Sequence, residues 1–78
     1  MKELGVHWLT TGWRDGQRYA SFFTFEVVRP NELTPIELPV EKVCDDRVVV
    51  QIPLETKDPL LAKYAGETVA LFNIWRRL

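Results

Sequence analysis

Apolar and polar residues alternate along Leu4–Val28, interrupted once by Asp15-Gly16. Period-two alternation is the signature of a half-buried strand, and Asp-Gly supplies the positive backbone angles of a tight hairpin turn. Pairing Arg14 with Gln17 places Trp8 opposite Phe23, Val6 opposite Phe25 and Leu4 opposite Val27 on one face. The other face then carries Gly5 with Glu26, His7 with Thr24, Leu9 with Phe22, Thr11 with Ala20 and Trp13 with Arg18. A slip of one residue would mix the two sets, so the turn and the pattern select the same register.

Arg29-Pro30-Asn31-Glu32 ends this ribbon, because proline removes a backbone donor and Pro-Asn favours a turn. Ile36, Leu38 and Val40 alternate with Glu37 and Pro39, which predicts a short strand with an edge position for the proline. Arg47–Leu54 is the most β-branched run and predicts a strand with Val48, Val50, Ile52 and Leu54 inward. Bringing Ile36, Leu38 and Val40 onto the face of Val48, Val50 and Ile52 calls for an odd-length loop around Asp45-Asp46. A two-residue turn there would instead set Val50 beside Glu41. Thr56 or Asp58 as cap and Pro59 at the first helical position predict a short helix through Ala65, stopped by Gly66.

Glu67–Leu78 reads in two ways. As a strand it puts Val69, Leu71 and Trp75 on one face and Ala70, Phe72 and Ile74 on the other, which suits a strand buried on both sides. As a helix, Leu71, Trp75 and Leu78 form a stripe. The β-favouring residues after Gly66 select the strand. Five strands with one short helix near 59–65 predict a mainly β fold, a small SH3-like or OB-like barrel in one domain over 1–78. An α+β fold with a C-terminal helix is the alternative.

Composition sharpens this picture. The chain has 78 residues and is 46% apolar, with three Trp, four Phe and two Tyr. Each aromatic ring buries about 150–250 Å², which offsets the small core of a short chain. Self-association into a homo-oligomer would add more. The formal charge is −1; residues 31–58 are acidic and both ends mildly basic. This balance argues against a strongly basic nucleic-acid binder while leaving room for a local basic strip. One cysteine, Cys44, excludes an internal disulfide and favours a reducing compartment. With no secretory signal pattern and no apolar run of spanning length, the expectation is cytoplasmic, without membrane association.

Little here suggests catalysis. His7 and Cys44 are the one thiol–base combination, and one His with one Cys cannot supply an ordinary N/S metal set. Glu41, Asp45 and Asp46 lack the spacing of a calcium loop, and no phosphate-cradling glycine motif occurs. No enzyme activity, metal or cofactor is expected. The binding candidates are Trp13, Arg14, Arg18 and Tyr19 at the first hairpin tip, with Trp75, Arg76 and Arg77 near the C-terminus. Rings interleaved with guanidinium groups suit base stacking and phosphate contact, and equally suit anchors of a protein interface.

The spacing Arg14-x-Gly16-x-x-Tyr19 resembles the binding hairpin of the small single-stranded-DNA-binding proteins of filamentous phages. Val48-x-Val50-x-Ile52-x-Leu54-Glu55, followed by Tyr64-x-Gly66 and the Thr68-Val69 strand start, is similar to their central part. The resemblance implies strand contact by Arg14, Arg18 and Tyr19 and cooperative coating by a dimer. It covers about a third of the chain, and the span from Tyr19 to Val48 is longer than that family's. The reading drawn from the residues themselves is a non-catalytic interaction module acting through a protein partner or self-assembly. An accessory protein of a mobile element fits that description. The alternative is a single-stranded nucleic-acid binder using the 13–19 tip.

Overall fold

The computed structural model describes residues 1–74. Its five strands are β1 (Lys2–Arg14), β2 (Gln17–Phe23), β3 (Ile36–Cys44), β4 (Arg47–Gln51) and β5 (Thr68–Asn73). A 3-10 turn, Pro30–Glu32, and one helical turn, α1 (Pro59–Ala62), lie in the connections. Consecutive strands pair antiparallel, and β5 pairs parallel with β1 to close a five-stranded barrel. An odd number of strands in an unbroken meander must close with one parallel pair. This connectivity differs from the Greek key of an OB-type barrel.

Two strands are long because each serves both halves of the barrel. The start of β1 lies beside β5, with Leu4 opposite Leu71, while its end lies beside β2. Likewise β3 begins against β2 and ends against β4. The core is the inner face: Leu4, Val6, Ala20, Phe22, Leu38, Val48, Val50, Ile52, Leu61, Val69 and Leu71. The helical turn plugs one end through Leu61, which is buried.

Each hairpin has a tight turn and then a one-residue irregularity. In the first, Arg14 pairs with Gln17, and the expected register runs from there to Thr10 opposite Ser21. It then shifts, so that His7 and not Trp8 faces Phe23. The cause is a parity conflict. The turn puts Leu9 and Thr11 on the face of Phe22 and Ala20, whereas Leu4 and Val6 must also point inward. One extra residue in β1 resolves it, and Trp8 takes φ 57° there, a left-handed conformation uncommon for a bulky side chain. The expected pairs Val6–Phe25 and Leu4–Val27 therefore do not form. β2 ends at Phe23, and Val6 and Leu4 lie beside Asn73 and Leu71 of β5.

The second hairpin resolves the same conflict the same way. Asp45-Asp46 is a two-residue turn with Cys44 opposite Arg47, contrary to the odd-length loop expected. A shift between Val40 and Lys42 then sets Val40 opposite Val50. The inward set is the expected one, reached through a bulge at Glu41 in place of a longer loop.

β4 stops at Gln51. Pairing continues through Ile52, whose N–H donates to the Glu67 carbonyl at 2.9 Å while its own carbonyl accepts from the Gly66 N–H at 2.8 Å. Pro53 then ends the ladder, leaving Leu54 80% exposed where inward packing was expected. Asp58 is the helix cap, its Oδ1 accepting from the N–H groups of Leu60 and Leu61 at 2.9 and 3.2 Å. β5 is a strand, and it is covered on both faces. Val69 and Leu71 point into the core, while Ala70 is buried beside Val49 on the outer side. There the Arg47 guanidinium lies over the Phe72 ring at 4.8 Å and pairs with Glu3 at 3.3 Å.

Candidate interaction surface

The first hairpin projects beyond the closed part of the barrel. β1 pairs with β5 only as far as Val6, and β2 pairs with β3 only from Tyr19 onward. The turn itself is built by Asp15 (φ 53°) and Gly16 (φ 79°), both left-handed, as the Asp-Gly signal requires.

All four predicted tip residues meet there, in two ring–guanidinium pairs on opposite faces of the ribbon. Arg14 lies over the Tyr19 ring at 4.4 Å, and Arg18 lies over the Trp13 ring at 4.8 Å. Trp13 is 68% exposed. Arg14 also donates to Glu37 Oε1 of β3 at 3.1 Å. Hydrogen bonding to that carboxylate, and its charge, raise the Arg14 guanidinium above its ordinary value, so it stays cationic. A shallow groove beside this pair is lined by Gly12, Trp13, Arg14, Tyr19, Ser21 and Glu37. Trp75, Arg76 and Arg77 lie outside the described residues.

The second tip brings carboxylates to the same end of the molecule, since β1 and β3 run in the same direction. A cleft between the tips has Leu9, Val43 and Val48 as its apolar lining, with Arg18 on one side and Asp45, Asp46 and Arg47 on the other. Arg47 is itself engaged, pairing with Asp46 at 3.0 Å and with Glu3. Its guanidinium is raised above the ordinary value chiefly by the hydrogen bond to Glu3, against a lowering by burial. Arg14 and Arg47 are thus matched by acidic neighbours, whereas Arg18 lies against the Trp13 ring.

A second surface was not visible as such in the sequence. Residues 24–28 fold back over the β1 bulge, and the Trp8 indole N–H donates to the Val27 carbonyl at 2.7 Å. Around it Trp8, Glu26, Val27, Val28 and Asn73 line a groove of about 320 Å³. Trp8 is 43% exposed and Val28 85%, and the neighbouring Phe25, 55% exposed, packs edge-on against Phe23. The available signal was the change of parity between Val6 and Leu9, which a regular strand cannot accommodate with both side chains inward.

The residues considered for catalysis are placed apart along the chain's pairing scheme. His7 pairs with Phe23 in the barrel wall, whereas Cys44 is an exposed free thiol facing Arg47 at a hairpin tip. No group of three or more His, Cys, Asp or Glu suited to a metal ion occurs among the described residues. Nor is any described helix long and apolar enough to cross a membrane. Comparison with models of protein families, with curated proteins and with solved structures finds no match to this chain.

Proposed function

We propose that the chain is a non-catalytic interaction module that works by contact with a protein partner or with its own copies. The observation that carries this reading is a groove lined by the exposed apolar side chains Trp8 and Val28, with a third, Phe25, exposed on the same 24–28 segment. Contiguous exposed apolar surface of this kind marks contact sites on small proteins. A reducing cytoplasmic setting suits the exposed Cys44 thiol. The test is affinity capture from the source cells with wild type and with a Phe25→Asp, Val28→Asp double variant. Both positions are exposed, and circular dichroism of the purified variant checks that it is folded before capture. Loss of the captured proteins supports the reading, and identical capture refutes it.

A second reading is a single-stranded nucleic-acid binder at Trp13, Arg14, Arg18 and Tyr19. It is favoured by the exposed Trp13 ring beside Arg18, which suits base stacking with phosphate contact. The surrounding carboxylates weigh against it. Glu37→Gln frees Arg14 and removes one negative charge, so this reading predicts tighter, still salt-sensitive quenching of tryptophan fluorescence by a single-stranded oligonucleotide. Absence of quenching at low salt, with the fold intact, excludes it.

A further inference from the structure

Rings, cations and carboxylates recur on this barrel as one unit. Arg14 lies over the Tyr19 ring at 4.4 Å and pairs with Glu37 at 3.1 Å. Arg47 lies over the Phe72 ring at 4.8 Å and pairs with Glu3 at 3.3 Å. Lys2 lies over the Tyr64 ring at 5.7 Å and pairs with Glu67 at 3.1 Å. In each unit a ring attracts the cation through its quadrupole, and a carboxylate attracts the same cation through its charge.

The Trp8 groove holds two members of this unit and lacks the third. Trp8 and Glu26 both line it. Among the described residues, no cation lies over the Trp8 ring and none pairs with Glu26. The indole is held in place, because its N–H donates at 2.7 Å to the carbonyl of Val27, the residue after Glu26. Its ring is 43% exposed, and tryptophan is the strongest of the aromatic side chains in attracting a cation. Val28, exposed on the same groove, offers apolar surface of the kind on which a long basic side chain lays its aliphatic stem.

We infer that the Trp8 groove receives a basic side chain of a protein partner, an arginine or lysine whose charged head meets Trp8 and Glu26 and whose stem packs on Val28. The inference rests on the interaction-module reading and gives the chemistry of the partner. Charge complementarity selects this occupant. A purely apolar side chain would cover Glu26 and leave its carboxylate unpaired. An acidic side chain or a nucleic-acid phosphate would meet it as a like charge.

The experiment titrates the full chain with a blocked tripeptide that carries arginine between two leucines. The control is the same peptide with citrulline, the neutral isostere of arginine. The readout is the NMR signal of the Trp8 indole N–H, assigned by its loss in Trp8→Phe. The expected result is a saturable shift with the arginine peptide, a weaker response with the citrulline peptide, and affinity reduced about two- to fivefold by Glu26→Gln. Circular dichroism checks that each variant is folded. No shift up to the solubility limit of the arginine peptide overturns the inference. Equal binding of the two peptides, or unchanged affinity in Glu26→Gln, overturns it as well. Arg76 and Arg77, outside the described residues, are a source of the same cation within the chain, so Arg76→Ala, Arg77→Ala is titrated too. Binding that appears only in that variant overturns the assignment to a partner. In each of these failures the broader reading stands or falls separately, on partner capture with Phe25→Asp, Val28→Asp.

Discussion

The Trp8 indole and the Val27 carbonyl, 2.7 Å apart, tie a strand bulge to the loop that covers it. Trp8 holds φ 57°, a conformation that costs on the order of 1–3 kcal/mol for such a residue. The hydrogen bond satisfies a carbonyl in a segment where Val27 is buried and holds residues 24–28 against the barrel. Trp8→Phe keeps a ring and loses the donor. Its expected cost is about 1–2 kcal/mol in urea unfolding. An unchanged midpoint would mean that water replaces the indole at no loss.

Asp58 joins two connections at once. Its Oδ1 caps α1, and its Oδ2 accepts from the Thr24 hydroxyl at 2.7 Å. Asp58→Ala should cost about 1–2 kcal/mol, more than Thr24→Val, which leaves the cap in place. The double variant should cost less than the two singles together, because they share one hydrogen bond. Simple additivity would show that the Thr24 contact contributes nothing.

The barrel and the inward residues Leu38, Val48, Val50, Ile52, Val69 and Leu71 were legible because strand alternation, turn dipeptides and the Asp58-Pro59 start act locally; the sharing of one face by Leu4, Val6, Ala20 and Phe22, and the exposure of Leu54, were not. What was not legible was how two tight turns coexist with the inward sets. Leu9 and Val6 cannot both face the core in a regular strand, and neither turn chemistry nor propensity says whether the loop or the strand absorbs the extra residue. The strands absorb it, at Trp8 and at Glu41. The tip residues Trp13, Arg14, Arg18 and Tyr19 were found by composition and turn position. Their pairing with each other, and of Arg14 with Glu37, depends on β3 lying beside β2, a long-range fact.

Because the Glu41 bulge corrects parity, deletions in β3 should alternate in effect. Deleting Glu41 alone places Val40 directly before Lys42 in a regular ladder, still opposite Val50 and still inward. The chain should fold, at a cost within the ordinary range of roughly 0.5–3 kcal/mol. Deleting Glu41 and Lys42 together sends Ile36, Leu38 and Val40 to the solvent face, and the barrel should be lost. Circular dichroism and thermal melts separate the two. Equal damage from both would show that bulge-driven twist, and not parity, is what β3 needs.

Gly66 and Leu54 offer a test of strain against crowding. Gly66 has φ 80°, and a Cβ there would lie 2.8 Å from Leu54 Cδ2. Leu54 is largely exposed, so its terminal carbons can swing away at little cost, whereas the backbone angle is held by the Gly66 N–H to Ile52 carbonyl bond. Strain should therefore dominate. Gly66→Ala is expected to lose about 1–2 kcal/mol, and Leu54→Ala, on the surface, no more than about 0.5 kcal/mol. The double variant should then be no more stable than Gly66→Ala alone, read from denaturant midpoints. If Leu54→Ala instead restores the lost stability, the contact with Leu54, and not the left-handed turn, is why the chain has glycine at this position.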